Sequence, residues 1–135
     1  MDAANDIDIA TAWVAMHKAE KGSEVRDANF WAYMSLDELR DNNLERYWRI
    51  INEIRRLDDS DLMLSNLAAG PLEDLLVNSG NIFIERIEAC AKVDERFRVM
   101  LGMVWKNDIP DDIWERVERA SSPANGTDGI KPTTR

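Results

Sequence analysis

Between Asn43 and Leu57 the apolar residues Leu44, Tyr47, Trp48, Ile51 and Ile54 recur every three or four positions, which places them on one side of an α-helix and nowhere coherent on a strand. The same spacing returns along the chain. Ile9, Ala12, Trp13 and Met16 mark a helix over about Ile7 to Lys21 that Gly22-Ser23 ends, and Phe97, Met100, Leu101, Val104 and Trp105 mark another whose cap is Asp94. A last helix carries Ile113, Trp114 and Val117 behind Asp108-Ile-Pro110. No segment alternates with the two-residue period of a strand, so the expected class is all-α.

The punctuation between these stripes sets the number of helices. Ser35-Leu-Asp-Glu38 has the form of a capping box and predicts a fresh helical start at Ser35, after the aromatic segment Phe30, Trp31, Tyr33 and Met34. Asp58-Asp-Ser-Asp61 reads as a turn that caps a helix over Leu62 to Ala69. Gly70-Pro71 then reads as a stop followed by a start, because glycine tolerates the left-handed C-terminal position and proline suits a first turn. A short helix from Leu72 to Val77 ends at Asn78-Ser-Gly80, before a longer one built on Phe83, Ile84, Ile87, Cys90 and Ala91. About seven to eight short helices result, expected as a compact bundle or short stack, since helices this short depend on packing one another's apolar stripes. With 135 residues, a single helical domain over 1–120 is expected, followed by a flexible tail over 121–135 rich in Ser, Pro, Gly and Thr.

Charge narrows the function. The chain holds 26 acidic and 17 basic residues; the tail contributes Asp128, Lys131 and Arg135, leaving 25 acids and 15 bases, a net charge of −10, on the expected folded body. Such a surface repels phosphate backbones and anionic lipid headgroups, so direct nucleic-acid binding and membrane binding are not expected. The lone Cys90 cannot close an internal disulfide, and the acidic start of the chain is unlike a signal peptide; a cytoplasmic location is expected.

Few residues suggest catalysis. His17, the single histidine, rules out paired-histidine metal sites and reads as a surface group stabilised by the end of its helix; Cys90 lies within an apolar helical pattern and reads as a structural thiol. Glu73, Asp74, Glu85 and Glu88 flank the Gly80 turn and could gather into an acid–base couple or a hard-metal site, or else form ion pairs with neighbours such as Lys92 four residues after Glu88. Asp58, Asp59 and Asp61, with Asp108, Asp111 and Asp112, form acidic runs at helix starts. Arg46, Arg49, Arg55 and Arg56 make one helix locally basic, through either internal neutralisation or a two-signed face. Among the five tryptophans, Trp13, Trp48, Trp105 and Trp114 fall on apolar stripes and are assigned to the core, whereas Trp31 lies in the least regular region, with Phe30 and Tyr33, and is the one to test for a surface function.

The string Leu-Ala-Ala-Gly-Pro-Leu-Glu-Asp-Leu-Leu over 67–76, followed by Gly80, Phe83-Ile84, Arg86-Ile87-Glu88, Arg96-Phe97-Arg98, Val104-Trp105, Pro110 and Trp114, resembles a family of small bacterial domains of unknown function. Trp13 and Trp48 extend the likeness more loosely into the first half. The resemblance implies a bacterial or phage-borne helical domain and carries no activity, substrate or partner.

Together these features lead to an expectation of a small non-catalytic module, without cofactor or metal. It binds and neutralises a basic protein partner in the manner of an immunity protein, or of a phage or plasmid inhibitor of a defence nuclease. The partner-binding candidates are Asp58, Asp59, Asp61, Glu73, Asp74, Glu85, Glu88 and Trp31. The alternatives are a metal-binding protein or hydrolase using Glu73, Asp74, Glu85 and Glu88, and a homo-oligomeric scaffold.

Overall fold

The computed structural model describes residues 4–123, so the expected flexible tail lies outside the described residues from residue 124 onward; Ser121, its first residue, is helical. The fold is all-α. Seven α-helices and one π-helical turn are present among the described residues, and no strand, in agreement with the seven or eight helices expected. No helix among them is long and apolar enough to cross a membrane.

The chain forms two compact units, one running to Asn66 and the other beginning at Leu67. In the first, α1 (Asp6–Lys18) packs on α2 (Glu24–Asn42) and α3 (Leu44–Leu57), and α2 also packs on α3. The stripe on α1 is the one the spacing requires: Ile9, Ala12, Trp13 and Met16 are all buried, with Ala10 beside them. On α3 the buried face is Tyr47, Ile50, Ile51 and Ile54, while Leu44 and Trp48 are only half-buried at its edge. Each helix starts on a side-chain cap. Asn5 accepts the Asp8 amide, Ser23 the Arg26 amide and Asn43 the Arg46 amide, satisfying donors that a helix cannot satisfy itself.

A two-arginine clamp fastens α3 to the start of α1. Arg46 Nε donates to Asp6 Oδ1 at 2.7 Å and Arg49 Nε to Asp6 Oδ2 at 3.2 Å, while Arg46 Nη2 reaches the Ala4 carbonyl at 2.6 Å. Partial burial works against the Asp6 charge, but the two guanidiniums outweigh it and hold the carboxyl below its usual range. Arg55 donates to Asn52 and Arg56 to Glu53, so these four arginines are engaged within the chain rather than forming a free basic face.

α4 (Asp61–Leu67) starts from the Asp58–Asp61 turn, where Ser60 Oγ, rather than an aspartate, accepts the Met63 amide. The expected break at Gly70-Pro71 does not occur. A π-helical turn over Ala68–Leu72 carries the backbone from α4 into α5 (Glu73–Val93) with αR dihedrals at both of its ends. Its widened winding is a physical answer to Pro71, which has no amide to donate and whose ring would crowd the carbonyl four residues back in a regular helix. The end expected at Asn78-Ser-Gly80 is present as a kink inside α5, at Ser79 with φ −143° and ψ 26°.

In the second unit α5 packs on α6 (Glu95–Leu101) and α7 (Asp111–Ser121), which also meet each other. Phe83, Ile84, Ile87 and Ala91 of α5 are buried, with Phe97, Met100 and Leu101 of α6 and Ile113 and Val117 of α7. Asp94 caps α6 as expected, accepting the Phe97 amide at 3.1 Å. At Gly80 α5 and α7 approach closely: a Cβ there would lie 3.0 Å from Ile113 Cγ2. Arg98 is the one buried charged residue among the described residues, and its Nη1 donates to the Ala91 carbonyl at 2.7 Å.

Candidate partner-binding surface

α2 is a single uninterrupted helix, and this corrects the expected restart at Ser35. The cap is Ser23, twelve positions earlier, and Ser35 sits in the helix interior where its amide is already used. A capping box is only a local pattern; it terminates nothing when the residues before it are themselves helical. The continuous helix has 19 residues, of which only Ala32 and Leu36 are buried.

The opposite side of α2 is the most apolar exposed helical face of the first unit. Phe30, Trp31, Tyr33 and Met34 are exposed at 47%, 41%, 44% and 56%. The Phe30 and Tyr33 rings lie 5.4 Å apart between centroids and nearly parallel, which steadies them on the surface. Asp27, Glu38 and Asp41 share that side at helical spacing and are exposed. The cations of α2 offset them only in part, through Arg40 at Asp41. Arg26 bends back to donate from Nη1 to the Met16 and Ala19 carbonyls at 3.2 and 3.4 Å, capping the end of α1, and Arg40 pairs with Asp37 at 2.6 Å and Asp41 at 3.5 Å. What α2 presents outward is therefore aromatic and acidic.

Trp31 is exposed, but on a regular helix rather than in the irregular segment expected. The assignment of Trp105 to the core is wrong: its side chain is 75% exposed, while Trp48 and Trp114 are half-buried and only Trp13, at 1%, is enclosed. α6 ends at Leu101, so Val104 and Trp105 leave the helical register that made them one stripe, and Val104 alone turns inward. The loop around Trp105 is well tied. Ile109 is buried, its amide donates to the Lys106 carbonyl at 2.7 Å, and Asn107, with a positive φ of 39°, donates from its side chain to Glu73 Oε2 at 2.9 Å.

The remaining acidic candidates divide between the units. Asp58 accepts the Ser60 amide at 2.9 Å and faces Lys18 at 3.6 Å; hydrogen bonds from Ser60 hold its carboxyl below the usual range, with Lys18 adding to the effect. Asp59 and Asp61 are exposed beside it. Glu73 and Asp74 precede the Ser79 kink and Glu85 and Glu88 follow it. Glu88 takes a bidentate grip from Arg116 of α7, at 2.8 and 2.6 Å; those hydrogen bonds hold its carboxyl below the usual range, and the charges of Arg116, Arg119 and Lys92 add to the effect. No group of three or more His, Cys, Asp or Glu side chains is placed to hold a metal ion among the described residues.

His17, expected as a surface group stabilised by the end of its helix, is half-buried in the last turn of α1. Its ring stacks on Trp13 with centroids 3.7 Å apart, and Nδ1 donates to the Trp13 carbonyl at 3.0 Å. Burial lowers its pKa from the usual 6.5, Arg26 adds to that, and the carbonyl opposes it without prevailing. Cys90 is half-buried rather than enclosed.

Residues 19–124 match the model of a family of unknown function, DUF6869. No curated protein and no solved structure matches the chain.

Proposed function

We propose, for a chain that belongs to this family of unknown function, that it works by binding rather than by catalysis, engaging a basic protein partner through the outward face of α2. The observation that supports this reading is the pairing of exposed Phe30, Trp31, Tyr33 and Met34 with Asp27, Glu38 and Asp41, on a helix whose Arg26 is turned to the end of α1 and whose Arg40 is shared between Asp37 and Asp41. Aromatic area supplies affinity once water is excluded, and carboxylates around it speed encounter with a cationic surface and select against anionic ones. The reading suits an immunity protein set against a toxin with a cationic active site, or a phage or plasmid inhibitor of a defence nuclease, acting in a reducing cytoplasm that suits the lone Cys90. The net charge of −9 disfavours nucleic acid itself as the partner.

Affinity purification from the native host at low salt tests this. A stoichiometric basic protein should be retained by the wild-type chain and released by roughly 0.5 M salt, where exposed charges are screened within a few ångströms. The variant carrying Asp27→Lys, Glu38→Lys and Asp41→Lys should not retain it. Recovery of no stoichiometric partner, or equal retention by both proteins, removes the proposal.

A further inference from the structure

We infer that the basic partner presents a short amphipathic helix, and that this helix lies in the groove between α1 and α2. The inference rests on the basic-partner reading above and adds the shape of what binds. Two adjoining depressions run along the α1–α2 seam and share Thr11 and Ala15. One extends to Asp8, Asn29 and Trp31, the other to Val14, Ala19 and Val25. From Asp8 to Lys18 the groove follows about 15 Å of helix, the length of roughly three turns.

Its floor and rim differ in chemistry. Ala12, Ala15 and Ala19 keep the floor low, so a third helix could approach closely, and Val14, Val25 and the Trp31 ring give it apolar walls. Exposed Asp8 and Glu20 line it with Lys18, and exposed Lys21 and Glu24 adjoin its lining residues in sequence. Lys18 faces Asp58, and the Arg26 guanidinium is spent on the end of α1. The rim is thus acidic over an apolar floor, the complement of a helix with an apolar stripe flanked by Lys and Arg. An extended peptide has no strand among the described residues to extend. A second copy would set one acidic rim against another. Trp31 borders both the groove and the outward face of α2, so one bound helix would meet the anchor that the wider surface also uses.

The test uses the full chain, labelled with nitrogen-15, and a 14-residue peptide of Leu and Lys at helical spacing. A peptide of the same composition without that spacing, and a Leu/Glu counterpart, serve as probes of shape and charge. Saturable binding of the Leu/Lys helix should shift the amides of Thr11 and Ala15 and the Trp31 indole. It should weaken about tenfold for the unspaced peptide and vanish for the Leu/Glu one. Thr11→Tyr, a neutral obstruction at an exposed position, and Asp8→Lys, a reversal at the rim, should each weaken it about tenfold, with unchanged spectra elsewhere showing that the fold is kept. Shifts confined to Phe30, Tyr33 and Met34 or to the second unit, with Thr11→Tyr binding as wild type, overturn the groove while leaving the basic-partner reading standing. A concentration-dependent dimer whose interface covers Thr11 and Ala15 also overturns it. Failure of both Leu/Lys peptides to bind at low salt overturns the groove and the basic-partner reading together.

Discussion

Trp13 and Trp105 carry the same side chain at opposite ends of the exposure range, and their substitution should separate accordingly. Trp13→Ala removes an enclosed ring from the first unit and the platform beneath His17, and should cost about 3–5 kcal/mol in urea unfolding. Trp105→Ala should stay within about 0.5 kcal/mol, as expected of a side chain whose loop is held by Ile109 and Asn107 rather than by the indole. His17 supplies a pH dependence with a definite sign. Its folded pKa lies below the usual 6.5, so the unfolded chain binds the extra proton more readily; the contribution is complete above that value and is lost as pH falls through the folded pKa. The carboxyls of Asp6 and Glu88, also lowered, contribute above their usual 3.8 and 4.5 and lose that contribution as pH falls further. Thermal unfolding should therefore begin to weaken just below neutrality, and His17→Gln should remove that first decline and leave the acid one. A first decline that persists in the variant rejects the assignment.

At the scale of the helix, the choice between two serines is decisive. If Ser23 starts α2, Ser23→Ala should cost about 1 kcal/mol, and Ser35→Ala, in a helix interior, should be neutral or slightly stabilising. The reverse order would restore the break at Ser35. Gly80 tests how closely α5 and α7 meet. Alanine suits a helix better than glycine by roughly 1 kcal/mol, but its Cβ would press on the stiff, buried side chain of Ile113. Gly80→Ala should therefore destabilise by about 1–2 kcal/mol, and Ile113→Ala should cost less in its background than alone. Additive effects would show that the contact relaxes. Both serines read alike in a sequence, because a capping pattern is visible whether or not the residues before it are helical; only the packing of Ala32 and Leu36 along one continuous face settles which one caps.

At the scale of the whole chain, the family match begins at residue 19 and so leaves out α1, although α1 gives the first unit Trp13, Met16 and the Asp6 clamp. Removing residues 1–18 should expose the faces of α2 and α3 that α1 covers, seen as dye binding and rapid proteolysis within the first unit. Resistance equal to the full chain would show that α1 is dispensable. The helical class, the apolar stripes of α1 and α7 and the Asp94 cap were all legible from spacing and cap chemistry, which depend on residues within a turn or two of each other. So was the acidic balance, a matter of counting. The fates of Trp105, Glu88 and Gly70-Pro71 were not legible, because each depends on distant or cooperative terms. These are where α6 stops, which helix brings Arg116 to the carboxylate, and whether a proline is met by a break or by a wider turn. Periodicity determined which sides of the helices are apolar; tertiary structure alone decided that one such side, on α2, remains uncovered, since burial depends on which partner face is left to meet it.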